Sequence, residues 1–194
     1  MCHPAVVSFL PDLLPAGPVE LRRWHTAQAE ALTVAVASSL PELRPWMPWA
    51  QDPPTVPAMI PVLAAGDLNF GADKEWQFVV AEPDSDRILG ATGFHRRGSP
   101  DTVEIGYWIR TDATRRGLAT FASRALTAAA FAHLPDIASV EIRMDSFNVR
   151  SAGVPPKLGF RFDGEVDLPV DAPGQSGRWL VWRMARADWA TDDS

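Results

Sequence analysis

A short basic loop that opens an amphipathic helix places the tightest limit on how this chain folds. The loop reads Thr114-Arg115-Arg116-Gly117-Leu118-Ala119-Thr120 and follows the strand-like segment Thr102–Arg110. The first N–H groups of a helix have no intrahelical partner, and the helix dipole favours negative charge there. A diphosphate at this point would accept several hydrogen bonds at once. The pattern therefore indicates a strand, an anion-binding loop and a helix in succession.

Each residue type in this loop suits a phosphate ligand. Gly117 allows close approach of the backbone, and Ala119 keeps the first helical turn narrow. Arg115 and Arg116 supply positive charge, and Thr120 supplies a hydroxyl. A solvated arginine pair before a capped helix is the alternative interpretation. The loop lacks the lysine-plus-serine ending of a nucleotide-triphosphate P-loop, and it does not match the dinucleotide pattern of spaced glycines.

The remaining apolar pattern predicts a sheet with flanking helices. The chain following the loop is helical in pattern, with a buried stripe of Leu118, Phe121, Ala122, Ala125, Leu126 and Ala129. Strands are predicted at Val19–Trp24, Glu75–Ala81, Arg87–Arg96, Thr102–Arg110, Ala138–Asp145, Phe160–Val166 and Arg178–Ala185. Short links, including the turn Pro83–Asp86, make the three strands from Glu75 an antiparallel meander. The strand after the central helix should lie parallel to the third strand of that meander or nearby.

The other helices are less regular. Thr26 is expected to cap a helix through about Ser38, with a buried stripe of Ala29, Leu32, Val36 and Ala37. Leu43–Pro53 is too rich in proline for a regular helix, whereas Thr55–Asn69 is helical in pattern despite Pro57 and Pro61. Asn148–Leu158 is expected to form a short helix that ends at Gly159. We expect one α/β domain (an α+β mixed sheet) over 1–194, with an N-terminal extension at 1–17 and a C-terminal tail at 187–194.

Composition narrows the function classes. The chain has 194 residues, 46% hydrophobic and 22% charged, which is typical of a globular domain. A net charge of −6 argues against a general nucleic-acid binder. Cys2 is the one cysteine, which excludes a disulfide framework, and the four histidines have no metal-ligand spacing. No apolar run reaches the length of a membrane span. We expect a cytoplasmic protein without a metal, and with no nucleic-acid or membrane partner.

The order of motifs resembles a known family. TVEIGYWIRTDATRRGLAT, followed by SVEIRMDSFNVRSAGVPPKLGFRFDGEV, resembles the GNAT superfamily of N-acetyltransferases and, within it, the RimJ/RimL group. The resemblance runs from about Val19 to Ala185, and LRPWMPW shares it. Thr114 and Arg115 stand where the family usually begins its loop with Gln or Arg. Pro155 and Pro156 depart from the usual short helix and are expected to kink or shorten it.

The resemblance implies a central, mostly antiparallel sheet with a splayed parallel strand pair, and acetyl-CoA or another acyl-CoA as co-substrate. The pantetheine arm would lie in the splay and pair with backbone groups around Trp108, Ile109 and Arg110. Asn148 would hydrogen-bond the arm, and Ser151 would lie beside the sulfur and hydrogen-bond or protonate the leaving thiolate. The cofactor-binding residues implied by the match are Trp108, Ile109, Arg110, Arg115, Arg116, Gly117, Leu118, Ala119, Thr120, Asn148 and Lys157. Asn148 and Ser151 are also good helix-start residues, which is the structural alternative.

Acyl transfer to an amine needs a base, because a simple alkyl amine has a pKa of about 10.4. Glu104 is the candidate base, directly or through water; the alternative is a charged strand residue exposed to solvent. His95 is a second candidate base, and a structural histidine at a strand end is its alternative. Tyr107 is assigned to core packing in preference to an acid role.

Tryptophans mark the expected acceptor side. Trp46 and Trp49 are predicted, with His95, to line the acceptor pocket, and packing against the sheet is the equal alternative for both tryptophans. Trp179 and Trp182, in the last strand, belong either to the core or to the surface of a homodimer.

The resemblance implies an acyl-CoA-dependent N-acyltransferase that moves an acetyl group, or succinyl in a wider pocket, to a primary amine such as a protein N-terminus or a small amine. Two other classes stay open. One is a regulatory module that binds coenzyme A without turnover, and the other is a nucleotide-binding protein.

Overall fold

A single eight-stranded sheet organises the computed structural model, which describes residues 10–96 and 98–189. The strands are β1 (Leu13–Ala16), β2 (Val19–Arg23), β3 (Glu75–Ala81), β4 (Ile88–Arg96), β5 (Thr102–Ile109), β6 (Ser139–Asp145), β7 (Arg161–Asp167) and β8 (Arg178–Ala185). Their spatial order is β1-β2-β3-β4-β5-β6-β8-β7. All neighbours are antiparallel except β5 and β6, which confirms the predicted mixed sheet and its meander.

Strand β1 lies inside the segment 1–17 that we expected to be an extension, so that expectation is wrong for Leu13–Ala16. Leu14 and Ala16 are buried, and the strand pairs with β2 at the sheet edge. An edge strand tolerates Pro15, whose missing N–H need not serve a second neighbour. Residues 1–9 and 190–194 of the predicted extension and tail, Cys2 among them, lie outside the described residues. In the tail, Trp189 packs against Phe131, with ring centroids 6.2 Å apart.

The parallel pair β5–β6 separates part-way along its length. Paired residues run from Thr102 opposite Ser139 to Ile105 opposite Ile142. Beyond that point β5 continues to Ile109 and β6 to Asp145 without pairing to each other. The predicted splay is confirmed, and it leaves a gap between the two strand ends.

Helix α4 (Leu118–His133), the fourth along the chain, covers one face of the sheet. Its buried residues include Leu118, Ala122, Leu126 and Ala129, as the apolar spacing predicts. Phe121, assigned to the same stripe, is 40% exposed, so that assignment is wrong. Its ring instead lies beside Gly17 in the β1–β2 turn.

The opposite face of the sheet is covered by α1 (Ala29–Ala37), α2 (Leu40–Leu43) and α3 (Val56–Gly71). His25, and not Thr26, provides the side-chain cap, because Thr26 lies within a 3-10 turn, Thr26–Gln28, that leads into α1. The predicted buried stripe of α1 included Ala37, but Ala37 is exposed and Ala35 is buried in its place. Thr55 caps α3, and Pro57 occupies its first turn, where a missing N–H costs no helical bond.

The two prolines shorten the last helix, as predicted. Helix α5 covers only Val149–Ala152, and a separate 3-10 turn, Pro155–Leu158, ends at Gly159. The first turn of a helix tolerates proline, so the chain restarts at Pro155 instead of continuing α5. Asn148 and Ser151 are therefore held in a single turn at the end of β6.

Candidate active site

The gap between β5 and β6 opens into a large cleft. Its volume is about 1770 Å³, above the roughly 300–1,000 Å³ of a site for one drug-sized ligand. The α4 N-terminus lies at one end, and side chains of β3, β4 and α3 lie at the other. The cleft therefore has room for more than one small ligand.

The basic loop at the end of β5 has an unusual backbone. Arg115 and Gly117 both have left-handed conformations, with φ of 63° and 77°. Alternating handedness turns successive N–H groups toward one side and makes a concavity that suits an anion. Gly117 caps α4, and the cleft lining includes Arg115, Gly117, Leu118, Ala119 and Thr120. These residues combine free helix-start N–H groups with one arginine side chain.

Two predicted cofactor residues do not line the cleft. The backbone N–H of Arg110 donates to Leu89 O at 2.7 Å, and its side chain pairs with Asp112 at 3.1 Å. Arg116 is exposed beside the loop. Trp108 and Ile109 do line the cleft, as do Asn148, Ser151 and Lys157. The splay thus brings the β5 end, the loop and the α5 turn together around one space.

Ser151 faces Tyr107 across the gap. The hydroxyl oxygens of Tyr107 and Ser151 are 2.9 Å apart, and the Tyr107 hydroxyl oxygen also lies 3.2 Å from the Ser151 carbonyl oxygen. Asn148 Oδ1 accepts from the Ser151 backbone N–H at 3.3 Å, so the helix-capping interpretation of Asn148 is realised. Burial raises the pKa of Tyr107 to about 12, although its hydrogen bond with Ser151 acts in the opposite direction. Tyr107 packs against the core, as expected, and also lines the cleft.

Glu104 is only 8% exposed, so the interpretation of a solvent-exposed strand residue is wrong. Its carboxylate lies 3.7 Å from Arg143 Nε, and Arg143 also binds Glu141 at 2.6 Å. Both Glu104 and Arg143 line the cleft. The Glu104 carboxylate therefore lies at the wall of the cleft, beside a guanidinium group.

His95 lies next to Glu104, to which it is directly opposed in the β4–β5 register. Its Nδ1 is 3.3 Å from Glu75 Oε1, and its Nε2 is 3.4 Å from Gln77 Nε2. All of these side chains line the far end of the cleft. His95 thus contributes to a polar wall that includes the Glu75 carboxylate.

Trp46 and Trp49 also line the cleft. The Trp49 ring is 54% exposed and lies 6.2 Å from the Trp108 ring on β5, tilted by 55°. Trp49 therefore both packs on the sheet and borders the cleft, so its two interpretations are compatible. Trp179 also lines the cleft, whereas Trp182 packs edge-on against Phe162 on the edge strand β7, at 5.5 Å.

Several cleft residues were not identified from the sequence. Arg143 follows Glu141 by two positions in β6, so strand alternation could have placed both on the Glu104 side. Asp145 and Gln175 gave no signal, because the positions of their partners depend on loops that carry no periodic pattern. The Asp145 carboxylate accepts from the backbone N–H groups of Phe147, Ser176 and Gly177 at 2.8–3.0 Å and from the Ser176 hydroxyl, which joins the α5 turn to the β7–β8 loop.

Two classes of feature are not found in the described part of the chain. Within 10–96 and 98–189, His, Cys, Asp and Glu side chains form no group of three or more arranged to hold a metal ion. None of the helices described there is long and apolar enough to cross a membrane.

Comparison with known proteins identifies the architecture. RimJ from Mycobacterium smegmatis, solved with a coenzyme A disulfide, superposes with a TM-score of 0.81 at 21% identity, over 98% of this chain and 93% of RimJ. RimL, the ribosomal L7/L12 alpha-N-protein acetyltransferase solved with coenzyme A, superposes with a TM-score of 0.80 at 16% identity. The match covers 89% of this chain and 97% of RimL. The microcin C7 self-immunity acetyltransferase MccE, solved with acetyl-CoA and AMP, superposes with a TM-score of 0.81 at 17% identity. The match covers 92% of this chain and 99% of MccE. No curated protein matches the chain by sequence search.

The splayed sheet with its loop and cleft defines an acetyltransferase fold. The family model described as "Acetyltransferase (GNAT) domain" matches residues 19–161, which is well over half of the chain. The chain belongs to the GNAT acetyltransferase family. The predicted family is confirmed by this match, and the likeness to RimL and RimJ shows that the fold is shared with them.

Proposed function

We propose that this protein transfers an acetyl group from acetyl-CoA directly to a primary amine. The observation that carries the proposal is the continuity of the cleft. It joins the anion-binding loop at Arg115–Thr120, the Tyr107–Ser151 pair and the buried Glu104 carboxylate in one space. Family membership and the coenzyme A complexes of RimL and RimJ support the same reaction.

In this proposal the coenzyme A diphosphate binds at the start of α4. The N–H groups of the loop and the Arg115 side chain would neutralise it, with Lys157 and the neighbouring exposed Arg116 adding positive charge. The pantetheine arm would occupy the gap where β5 and β6 no longer pair, because Trp108 and Ile109 have no strand partner on that side. Asn148 would hydrogen-bond the arm, and Ser151 would lie next to the sulfur.

The chemistry then follows from the positions of the side chains. The amine nitrogen attacks the thioester carbonyl, a C–N bond forms, and the C–S bond breaks with the electron pair left on sulfur. Glu104, directly or through a water molecule, would accept the amine proton. A backbone N–H near the end of β5 would stabilise the carbonyl oxygen as it becomes negative. Ser151 would hydrogen-bond the departing thiolate.

The acceptor is proposed to be a protein N-terminus or a small amine. RimL acts on the ribosomal protein L7/L12, and a related Salmonella typhimurium protein modifies the N-terminal serine of L7/L12. In this chain Trp46, Trp49 and His95 would form the acceptor pocket, with Glu75 adding negative charge that attracts an ammonium ion. The cleft volume of about 1770 Å³ also leaves room for a succinyl donor.

We further propose a cytoplasmic, single-domain protein without nucleic-acid or membrane partners. Trp182 and the half-exposed Phe162 near the β7 edge would serve a homodimer. Light scattering of the purified protein at several concentrations tests this assembly, and a monomer at all of them would contradict it.

Thermal unfolding and thiol release test the reaction. Acetyl-CoA and coenzyme A should raise the melting temperature, whereas ATP and NAD should not. Mixing with a panel of peptides and small amines should then release coenzyme A thiol only in the presence of an acceptor. Binding without transfer to any amine would favour a coenzyme A-binding module, an alternative that the combination of Glu104 and Ser151 in one cleft does not favour. No stabilisation by either coenzyme would contradict the proposal.

A further inference from the structure

Tyr107 and Ser151 share hydrogen bonds at the point where the splayed strands separate. Tyr107 lies two positions beyond Ile105, the last β5 residue paired with β6, and Ser151 lies in the α5 turn on the other side of the gap. Their hydroxyl oxygens are 2.9 Å apart, and the Tyr107 hydroxyl is 3.2 Å from the Ser151 carbonyl. The contact is therefore made by two hydroxyl groups and one carbonyl.

The number of protons limits how these groups can pair. Each hydroxyl has one proton, and a hydroxyl oxygen can also accept. If Ser151 donates to Tyr107, the tyrosine proton goes to the carbonyl and both protons are used inside the pair. If Tyr107 donates to Ser151 Oγ, the serine proton is free to reach a third partner in the cleft. Accepting a hydrogen bond also makes the serine hydroxyl a better donor.

We propose that Tyr107 is a positioning residue that donates to Ser151 Oγ and thereby directs the serine proton toward the sulfur of the departing thiolate. This inference rests on the proposed acetyl transfer from acetyl-CoA. Tyr107 itself does not touch the substrate in this arrangement; it acts through Ser151.

Neither hydroxyl loses its proton in this step. The C–N bond forms, the C–S bond breaks, and sulfur leaves with the electron pair while the amine proton passes to the base. The thiolate receives a hydrogen bond from Ser151, and Ser151 receives one from Tyr107. A thiol has a pKa of about 8.5, so its thiolate is too weak a base to deprotonate the buried tyrosine, whose pKa is about 12. The pair therefore stabilises the leaving group without becoming charged.

A double-mutant cycle tests the coupling. Tyr107→Phe should lower kcat about tenfold and leave the KM for acetyl-CoA nearly unchanged, as expected for one lost transition-state hydrogen bond. In a Ser151→Ala background the same change should have almost no further effect. Thr127→Val is the matched control, because it removes a buried hydroxyl that donates to Ser123 O within α4, outside the cleft, and it should leave kcat unchanged. Equal effects of Tyr107→Phe in both backgrounds, or no loss of kcat, would overturn the assignment.

The chain contains a single tyrosine, which permits a second measurement that does not require turnover. Fluorotyrosine supplied during expression labels only position 107, and its fluorine resonance reports the hydroxyl environment. The resonance should move in Ser151→Ala, and coenzyme A should shift it more than an analogue without the sulfur atom. Identical shifts with the two coenzymes would overturn the inference even if transfer is observed. A protein that neither binds nor uses acetyl-CoA would overturn the proposed function as well.

Discussion

The side chain of Gln175 donates from Nε2 to the main-chain carbonyl of Trp46 at 3.0 Å. The neighbouring Gly174 N–H donates to the Pro45 carbonyl at 2.9 Å. These bonds tie the β7–β8 loop to the segment that follows α2, and Gln175 and Trp46 both line the cleft. Two irregular segments from distant parts of the chain thus form one wall.

Replacing Gln175 by alanine should loosen this wall. The substitution leaves the Trp46 carbonyl without its side-chain donor and removes the acceptor of the Asp171 and Ala172 N–H groups. We expect a loss of about 1–3 kcal/mol in the free energy of unfolding and a raised KM for the amine, with the KM for acetyl-CoA little changed. Urea unfolding and steady-state kinetics measure both.

Gln51→Ala is the control for that variant. Gln51 also donates to main-chain carbonyls of the same segment, those of Arg44 and Met47, but it is exposed and does not reach the β7–β8 loop. Its loss should leave the KM for the amine unchanged. If the KM for the amine rose equally in both variants, the contact with the β7–β8 loop would not shape the acceptor pocket.

Gly117→Ala should weaken coenzyme binding. A side chain at a φ of 77° costs about 1 kcal/mol, and relaxation of that strain would turn the loop N–H groups away from the diphosphate. We expect a Kd for acetyl-CoA about tenfold higher by calorimetry. Gly98→Ala is the matched control, since Gly98 has a φ of 74° and is not among the cleft residues. If both substitutions affect the Kd equally, the loop is not the diphosphate site.

Asp145→Asn should destabilise the α5 turn. Asp145 is 3% exposed, and its carboxylate accepts from the backbone N–H groups of Phe147, Ser176 and Gly177 and from the Ser176 hydroxyl. An amide places an NH2 group against one of those donors, which should cost about 2–3 kcal/mol and also raise the Kd for acetyl-CoA. Denaturant unfolding checks the first effect. Unchanged stability would show that the loop rearranges to satisfy the amide.

Stability should fall at high pH because of Tyr107. Its folded-state pKa of about 12 lies above the unfolded value of about 10, so the folded protein holds this proton more tightly. The contribution is complete below pH 10 and is lost as pH rises from 10 through 12, by about 2–3 kcal/mol. Urea unfolding across this range should show a decline that is smaller in Tyr107→Phe. The prediction would be contradicted if the free energy of unfolding declined equally with pH in both proteins. It would also be contradicted if absorbance showed Tyr107 ionising near its unfolded pKa of about 10 in the folded protein.

Glu104→Gln separates the two candidate bases. The substitution keeps the shape of the side chain and leaves Arg143 bound to Glu141, so folding should be preserved. Removal of a general base should reduce kcat/KM by about a hundredfold or more, and the reduction should be smaller at high pH, where more amine is already deprotonated. His95→Asn should reduce kcat/KM by a much smaller factor. If His95→Asn reduced kcat/KM more than Glu104→Gln does, the histidine would be identified as the base.

Local sequence patterns predicted most of the regular elements. β3 and β8 have the predicted bounds, because alternating apolar residues end at clear turn signals. The pattern failed where tertiary contacts decide exposure. Phe121 has the spacing of a core residue, yet its ring lies over the β1–β2 turn at the edge of the sheet. Leu13–Ala16 was overlooked because a proline-containing edge strand carries little propensity of its own.

The amino-acid sequence by itself determined the family, the order of strands and helices and the loop that begins α4, because these depend on residues close together in the chain. Only the tertiary structure decided that Tyr107 faces Ser151, that Glu104 is buried beside Arg143, and that Gln175 reaches Trp46. Each of these contacts joins separate elements, and its geometry depends on where β5 and β6 cease to pair and on the paths of irregular loops. Local periodicity in the sequence predicts neither the point where the two strands separate nor the paths of the loops. The partners of these side chains are therefore known only from the tertiary structure.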